Sequence, residues 1–167
     1  PLFIDPEALF EKGLITEEEL NSAHYYKGLH KVDYEWLLNH KPALLKKAFE
    51  RITPAIKEEI EQFKEANAYW LIDYALFMTC KEKNMNIKSK SHLSDEEIHS
   101  LKNDEIFSYY CFVQYEFYRE WSQLKEYCNE KGIGLIGDLP IYVSYDSSDV
   151  WAHPELFLLD DDLEPKG

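Results

Sequence analysis

The side chains best suited to chemistry lie between Gly137 and Trp151, in the run GDLPIYVSYDSSDVW. Asp138 and Asp146 stand eight residues apart, with Tyr142 and Trp151 close by. Carboxylates accept hydrogen bonds from hydroxyls, and amphipathic aromatic rings stack on sugar faces, so this grouping suits carbohydrate recognition. The competing reading is a turn, since Asp and Ser commonly cap helices and brace loops. Asp149, followed by Val150 and Trp151, reads as an acid opening a short helix.

Little else in the chain carries chemistry. His24, His30, His40, His92, His99 and His153 have no metal or catalytic spacing and read as surface or capping residues. Cys80, Cys111 and Cys128 are odd in number and form no Cys-x-x-Cys pair. They read as reduced thiols in a core, and no metal site is expected.

The elements that must position the polar run can be read outward from it. A long helical pattern over residues 106–131 carries Tyr110, Val113, Phe117, Trp121, Leu124 and Cys128 on one stripe, and Gly132 is placed to cap it. Aromatic side chains at this spacing read as core rather than as a surface binding platform. Two apolar runs follow, residues 133–136 and 141–143. A helix closed by glycine and followed at once by a buried strand is the α-to-β unit of an α/β protein, in which ligands bind at the carboxyl ends of strands. One strand makes no stable sheet, so partner strands outside this chain are expected.

Upstream the pattern is helical. Residues 1–14 read as a surface-lying segment with one helical turn ending at Gly13. Thr16 with Glu19, and Ser94 with Glu97, have capping-box spacing, while Asp33 and Thr53-Pro54 read as further helix starts. Pro42 predicts a break or kink near Lys41. Residues 70–78 are apolar on nearly every side and predict a central helix. Residues 81–90 read as a loop.

Composition narrows the partners. The 167 residues include 32 acidic against 18 basic side chains, a net charge of −14. Nucleic-acid binding depends on Lys and Arg, so DNA, RNA and anionic membranes are disfavoured. The 45% apolar content predicts a folded domain. No apolar run reaches the ~18 residues of a membrane span, and with no signal peptide before Pro1 a cytoplasmic protein is expected. The ends, Pro1-Leu2-Phe3-Ile4 and Pro165-Lys166-Gly167, predict an internal piece of a longer polypeptide.

The run GIGLIGDLPIYVSYDSSDVWAHPELFLLD resembles the third-strand motif of the 4-alpha-glucanotransferases, a (β/α)₈-barrel family of the alpha-amylase clan. PLFIDPEALFEKGLI, KVDYEWLLNHKPALLKKAF, WLIDYALFM and FVQYEFYREWSQLKEY are similar to upstream family blocks in the same order. Residues 86–97 depart from the family's tryptophan- and proline-rich stretch. Glu120 stands where glutamine is usual, and Ser144 where alanine is usual.

The resemblance implies a mainly α chain: a helical insertion subdomain over residues 1–104, then one helix-strand unit of a TIM barrel and its active-site loop over residues 105–167. It implies retaining transfer of alpha-1,4-glucan segments without a cofactor, with the catalytic nucleophile and acid beyond residue 167 and this chain alone inactive. Maltooligosaccharide, starch or glycogen would be the substrate, and the rest of the barrel the partner. Asp146 would contact the sugar at the cleaved bond and Asp138 would support the strand end, with Ser147 and Trp151 as positioning residues. The alternative is an autonomous helical interaction or carbohydrate-binding module.

Overall fold

The structure, a computed structural model, describes residues 2–23, 31–139 and 141–166. His24, His30 and Pro140 lie outside these. The chain forms two compact units, one of residues 1–62 with 112–133, the other of residues 63–111 with 134–167.

The first unit is built on α1 (Pro6–Glu11), α2 (Glu17–Ala23), α3 (Tyr34–Glu50), most of α4 (Pro54–Ala66) and the later part of α7 (Glu105–Glu130). The local stop and start signals operate as read. The side chain of Asp33 accepts the amide of Trp36 at 2.9 Å, and Thr16 and Glu19 exchange capping bonds of 2.9 and 3.2 Å. Thr53 Oγ1 accepts from Ile56 N at 3.3 Å just before Pro54 opens α4. Gly13 has φ +70, and Leu14 N donates to Leu9 O at 2.9 Å, which closes α1 in a left-handed turn that favours glycine.

Two expectations fail in this unit. The opening segment is not surface-lying: Ile4 before α1, Leu9 within it and Leu14 after it are fully buried, while Phe3 and Phe10 face outward. Of the break or kink expected at Pro42, the break does not occur, as α3 continues through it. A proline forfeits one intrahelical bond, to the carbonyl four residues back, while burial of Leu44, Leu45 and Ala48 holds the second half of the helix in place.

Phe112 packs on Phe49 with centroids 5.6 Å apart. Beside it Glu116 is wholly buried, and Lys12 Nζ donates to both its carboxylate oxygens at 2.7 and 2.6 Å. Burial pushes the Lys12 ammonium down, against the opposing pull of Glu116. A buried charge that keeps its partner is tolerated, whereas removing either member strands the other.

The second unit contains α5 (Ala68–Glu82), a 3₁₀ turn (Lys90–His92), α6 (Asp95–Lys102), the first part of α7, α8 (Ser148–Ala152) and a second 3₁₀ turn (Pro154–Leu156). Its core gathers Leu71, Ala75, Leu76, Leu101, Phe107, Val150 and Trp151, so α5 is the central helix its composition predicts. The Ser94–Glu97 capping box opens α6. Within the expected loop, α5 continues through Glu82.

The strand expected at the apolar run 133–136 does not form, nor does the second run, 141–143, become one. Among the described residues no strand appears, and only an isolated antiparallel bridge joins Leu159 to Pro165. Ile136 is 100% exposed and Ile141 89%. An extended segment becomes a strand only when a neighbour takes its N–H and C=O groups, and none is supplied here. The expected core stripe of α7 is also corrected. Val113 is buried, but Trp121 and Leu124 are exposed at 43% and 51%, because the opening segment reaches this end of α7 only loosely and leaves an open pocket between Phe3, Ala8, Trp121 and Leu124. Gly132 does cap α7, with φ +72 and Ile133 N donating to Cys128 O at 2.9 Å.

Candidate functional site

In the second unit a cleft of about 270 Å³ is lined by Phe77, Ile87, Tyr145, Asp146, Ser147 and Trp151, among others. It is made where the loop entering α8 lies against α5. Three of the four residues singled out from sequence thus come together, while Asp138 lies outside the cleft on the exposed segment.

Each has a distinct environment. Ser147 is the N-cap of α8, its Oγ accepting from Val150 N at 3.4 Å, and Asp149 falls in the first turn as its sequence position suggests. Trp151 is buried; its indole N–H donates to Ile87 O at 2.9 Å and its ring lies 5.8 Å from that of Phe77. Both therefore brace the loop. Asp146 remains exposed, with Oδ2 accepting from Lys81 Nζ at 2.5 Å. Tyr142, on the segment before the loop, is also exposed.

The far wall is a tight turn. Asp160 Oδ1 accepts from Asp162 N and Glu164 N, each at 2.9 Å, and Leu163 is held at φ 62. Tyr145 donates its hydroxyl to Leu163 O at 2.8 Å, and Lys88 Nζ pairs with Glu164 at 3.0 Å. The hydrogen bond to Glu164 raises the Lys88 pKa. Below the cleft, Asp73 takes Lys90 Nζ at 2.5 Å and lies 3.7 Å from His153 Nε2.

Phe77, Lys81, Ile87 and Tyr145 were not among the residues expected here. Phe77 and Lys81 share a face with Asp73 at i, i+4 spacing, a signal hidden by the uniformly apolar stretch that precedes Lys81. Among the described residues no group of three or more His, Cys, Asp or Glu side chains could hold a metal ion. Cys80 and Cys111 are buried free thiols and Cys128 is half-buried. No described helix is long and apolar enough to cross a membrane.

On a loop braced by a capped helix and a buried indole, the exposed Asp146 carboxylate offers a hydrogen-bond acceptor but cannot by itself break a glycosidic bond. The 4-alpha-glucanotransferase family pattern matches residues 1–167. The chain is 38% identical to the 4-alpha-glucanotransferase of Aquifex aeolicus, covering 98% of this chain and 34% of that protein. It is 37% identical to that of Clostridium butyricum, covering 99% and 36%. The fold is similar to an amylomaltase from Streptococcus agalactiae solved in complex with acarbose, with a TM-score of 0.87, 32% identity, and coverage of 98% of this chain and 35% of that one. The chain belongs to the 4-alpha-glucanotransferase family. It spans about a third of the length of the relatives it matches. Its match to a catalytic family from end to end disfavours the reading as an autonomous binding module.

Proposed function

We propose that these residues form the helical part and one sugar-binding edge of a cytoplasmic enzyme that transfers alpha-1,4-glucan segments between maltooligosaccharide, starch or glycogen chains. The observation that carries it is the meeting of Asp146, Ser147 and Trp151 at one cleft in a chain of this family. Acarbose in the Streptococcus agalactiae amylomaltase is consistent with a site for glucose-like rings.

In this reading residues 1–104 are the helical insertion, and residues 105–167 supply a barrel helix, the third barrel strand and its loop. The boundary divides the chain by role in a TIM barrel rather than by compactness. The exposed run over residues 133–136 is the strand, paired with neighbours from elsewhere in the longer polypeptide. Asp138 then sits at its carboxyl end, where barrels place ligand groups.

Retaining transfer needs a nucleophilic carboxylate and a second carboxylic acid about 5 to 5.5 Å apart. Neither is assigned to this chain. Asp146 accepts hydrogen bonds from hydroxyls of the sugar at the cleaved bond, and the contact strengthens as that ring flattens and gains positive charge. Ser147 and Trp151 hold the loop that carries it. The test is Asp146→Ala in the full-length enzyme. A charge-assisted hydrogen bond of this kind is worth roughly 1.5 to 3 kcal/mol, so turnover should fall about ten- to a hundredfold with the melting temperature kept. Unchanged turnover would remove Asp146 from the site.

A further inference from the structure

We propose that Lys81 is a positioning residue of this sugar site, acting through Asp146, an inference that rests on the role of Asp146 given above. Lys81 Nζ donates to Asp146 Oδ2 at 2.5 Å across 65 residues of chain. Among the described residues the other carboxylate oxygen makes no hydrogen bond. One oxygen is thus fixed and the other is left for a ligand hydroxyl.

The ammonium is itself held. It lies 5.3 Å from the centroid of the Phe77 ring, within cation–π range. Phe77, one turn earlier on α5, contacts Trp151. A single face of α5 therefore grips the loop at two points, the indole through Phe77 and the carboxylate through Lys81. A carboxylate on an exposed loop otherwise samples several rotamers, and holding one of them raises the fraction of molecules ready to stabilise the transition state.

Stability alone does not account for the contact. Both side chains are about half exposed or more, at 46% and 66%, and exposed ion pairs add little to folding. Lys81→Met should therefore leave the melting temperature nearly unchanged.

The experiment uses the full-length enzyme with maltotriose as donor and acceptor, measuring kcat, KM and melting temperature. Lys81→Met should lower kcat about three- to tenfold with little change in KM, and Lys81→Arg should recover most of the loss. Lys81→Met combined with Asp146→Asn should be no slower than Asp146→Asn alone, because the lysine acts only through that carboxylate. Lys83→Met, which breaks a comparable 2.6 Å pair with Asp104, should leave turnover unchanged. Normal turnover of Lys81→Met beside an impaired Asp146→Asn overturns the proposal, as do losses that multiply in the double variant. Normal turnover of Asp146→Asn instead defeats the assignment of the site, and the role of Lys81 with it. Should Lys81→Met fail to fold, Lys81→Gln is judged by the same criteria.

Discussion

The indole N–H of Trp151 and the carbonyl of Ile87 meet at 2.9 Å, tying α8 to the chain that leaves α5. Trp151→Phe keeps an aromatic ring against Phe77 but loses this bond and part of the buried ring volume, so it should destabilise by about 1 to 3 kcal/mol. Trp151→Ala also removes the buried ring and should cost about 3 to 5 kcal/mol. Equilibrium unfolding of both variants checks the order, and equal losses would show that ring burial contributes nothing here.

Glu120 offers a second test. Its Oε2 accepts from Asp5 N at 2.9 Å, while Oε1 is buried with no hydrogen-bond partner among the described residues. Burial raises its carboxyl pKa, with Glu116 and Asp5 adding to the rise and the Asp5 amide and Arg119 opposing it. An acid with a raised folded pKa destabilises once ionised, and this penalty disappears as pH falls through the folded value to the ordinary 4.5. Glu120→Gln should therefore gain about 1 kcal/mol at neutral pH, roughly 2 to 4 °C in melting temperature. The gain should vanish below the ordinary glutamate value. A melting temperature unchanged at pH ~7 would contradict this.

The acid limb of stability should report Glu19. The Arg51 guanidinium, at 2.6 and 3.0 Å, and the Thr16 amide hold its carboxyl at about 2. A depressed carboxylate pKa contributes stability that is fully present above 4.5 and is lost as pH falls through about 2. Arg51→Met should lower the melting temperature at neutral pH, and the difference should close across that window. High salt should narrow it too, as the pair lies at the surface. A difference independent of pH would assign the effect to packing of the arginine stem.

The 167-residue chain alone should give a helical circular dichroism spectrum and release no glucose from maltotriose. Amides of residues 134–139 should exchange freely in it and be protected in the full-length enzyme, where a paired strand is proposed. Equal exchange in both would reject the strand.

The helix ends were legible because capping acts within about four residues. Thr16 with Glu19, Asp33, Thr53, Ser94 with Glu97, and Gly132 could each be read without knowing what lies across the molecule. Asp138, Asp146, Ser147 and Trp151 stood out for their chemistry, and the order of family blocks pointed to the glucanotransferases.

Other features were decided at a distance. Pro42 signals a break, yet burial of Leu44 and Leu45 outweighs the one bond it forfeits. The stripe on α7 is apolar throughout, but periodicity only marks a face, and whether Val113 or Trp121 is covered depends on which elements reach it. The runs 133–136 and 141–143 have the composition of strands and, among the described residues, no partner to make them one. The site shows the limit most clearly. Lys81 and Asp146 are 65 residues apart and meet because Phe77 and Trp151 pack α8 onto α5. Local rules reach one helical turn along the chain, whereas this ion pair is created by burial of side chains that only the folded unit brings together.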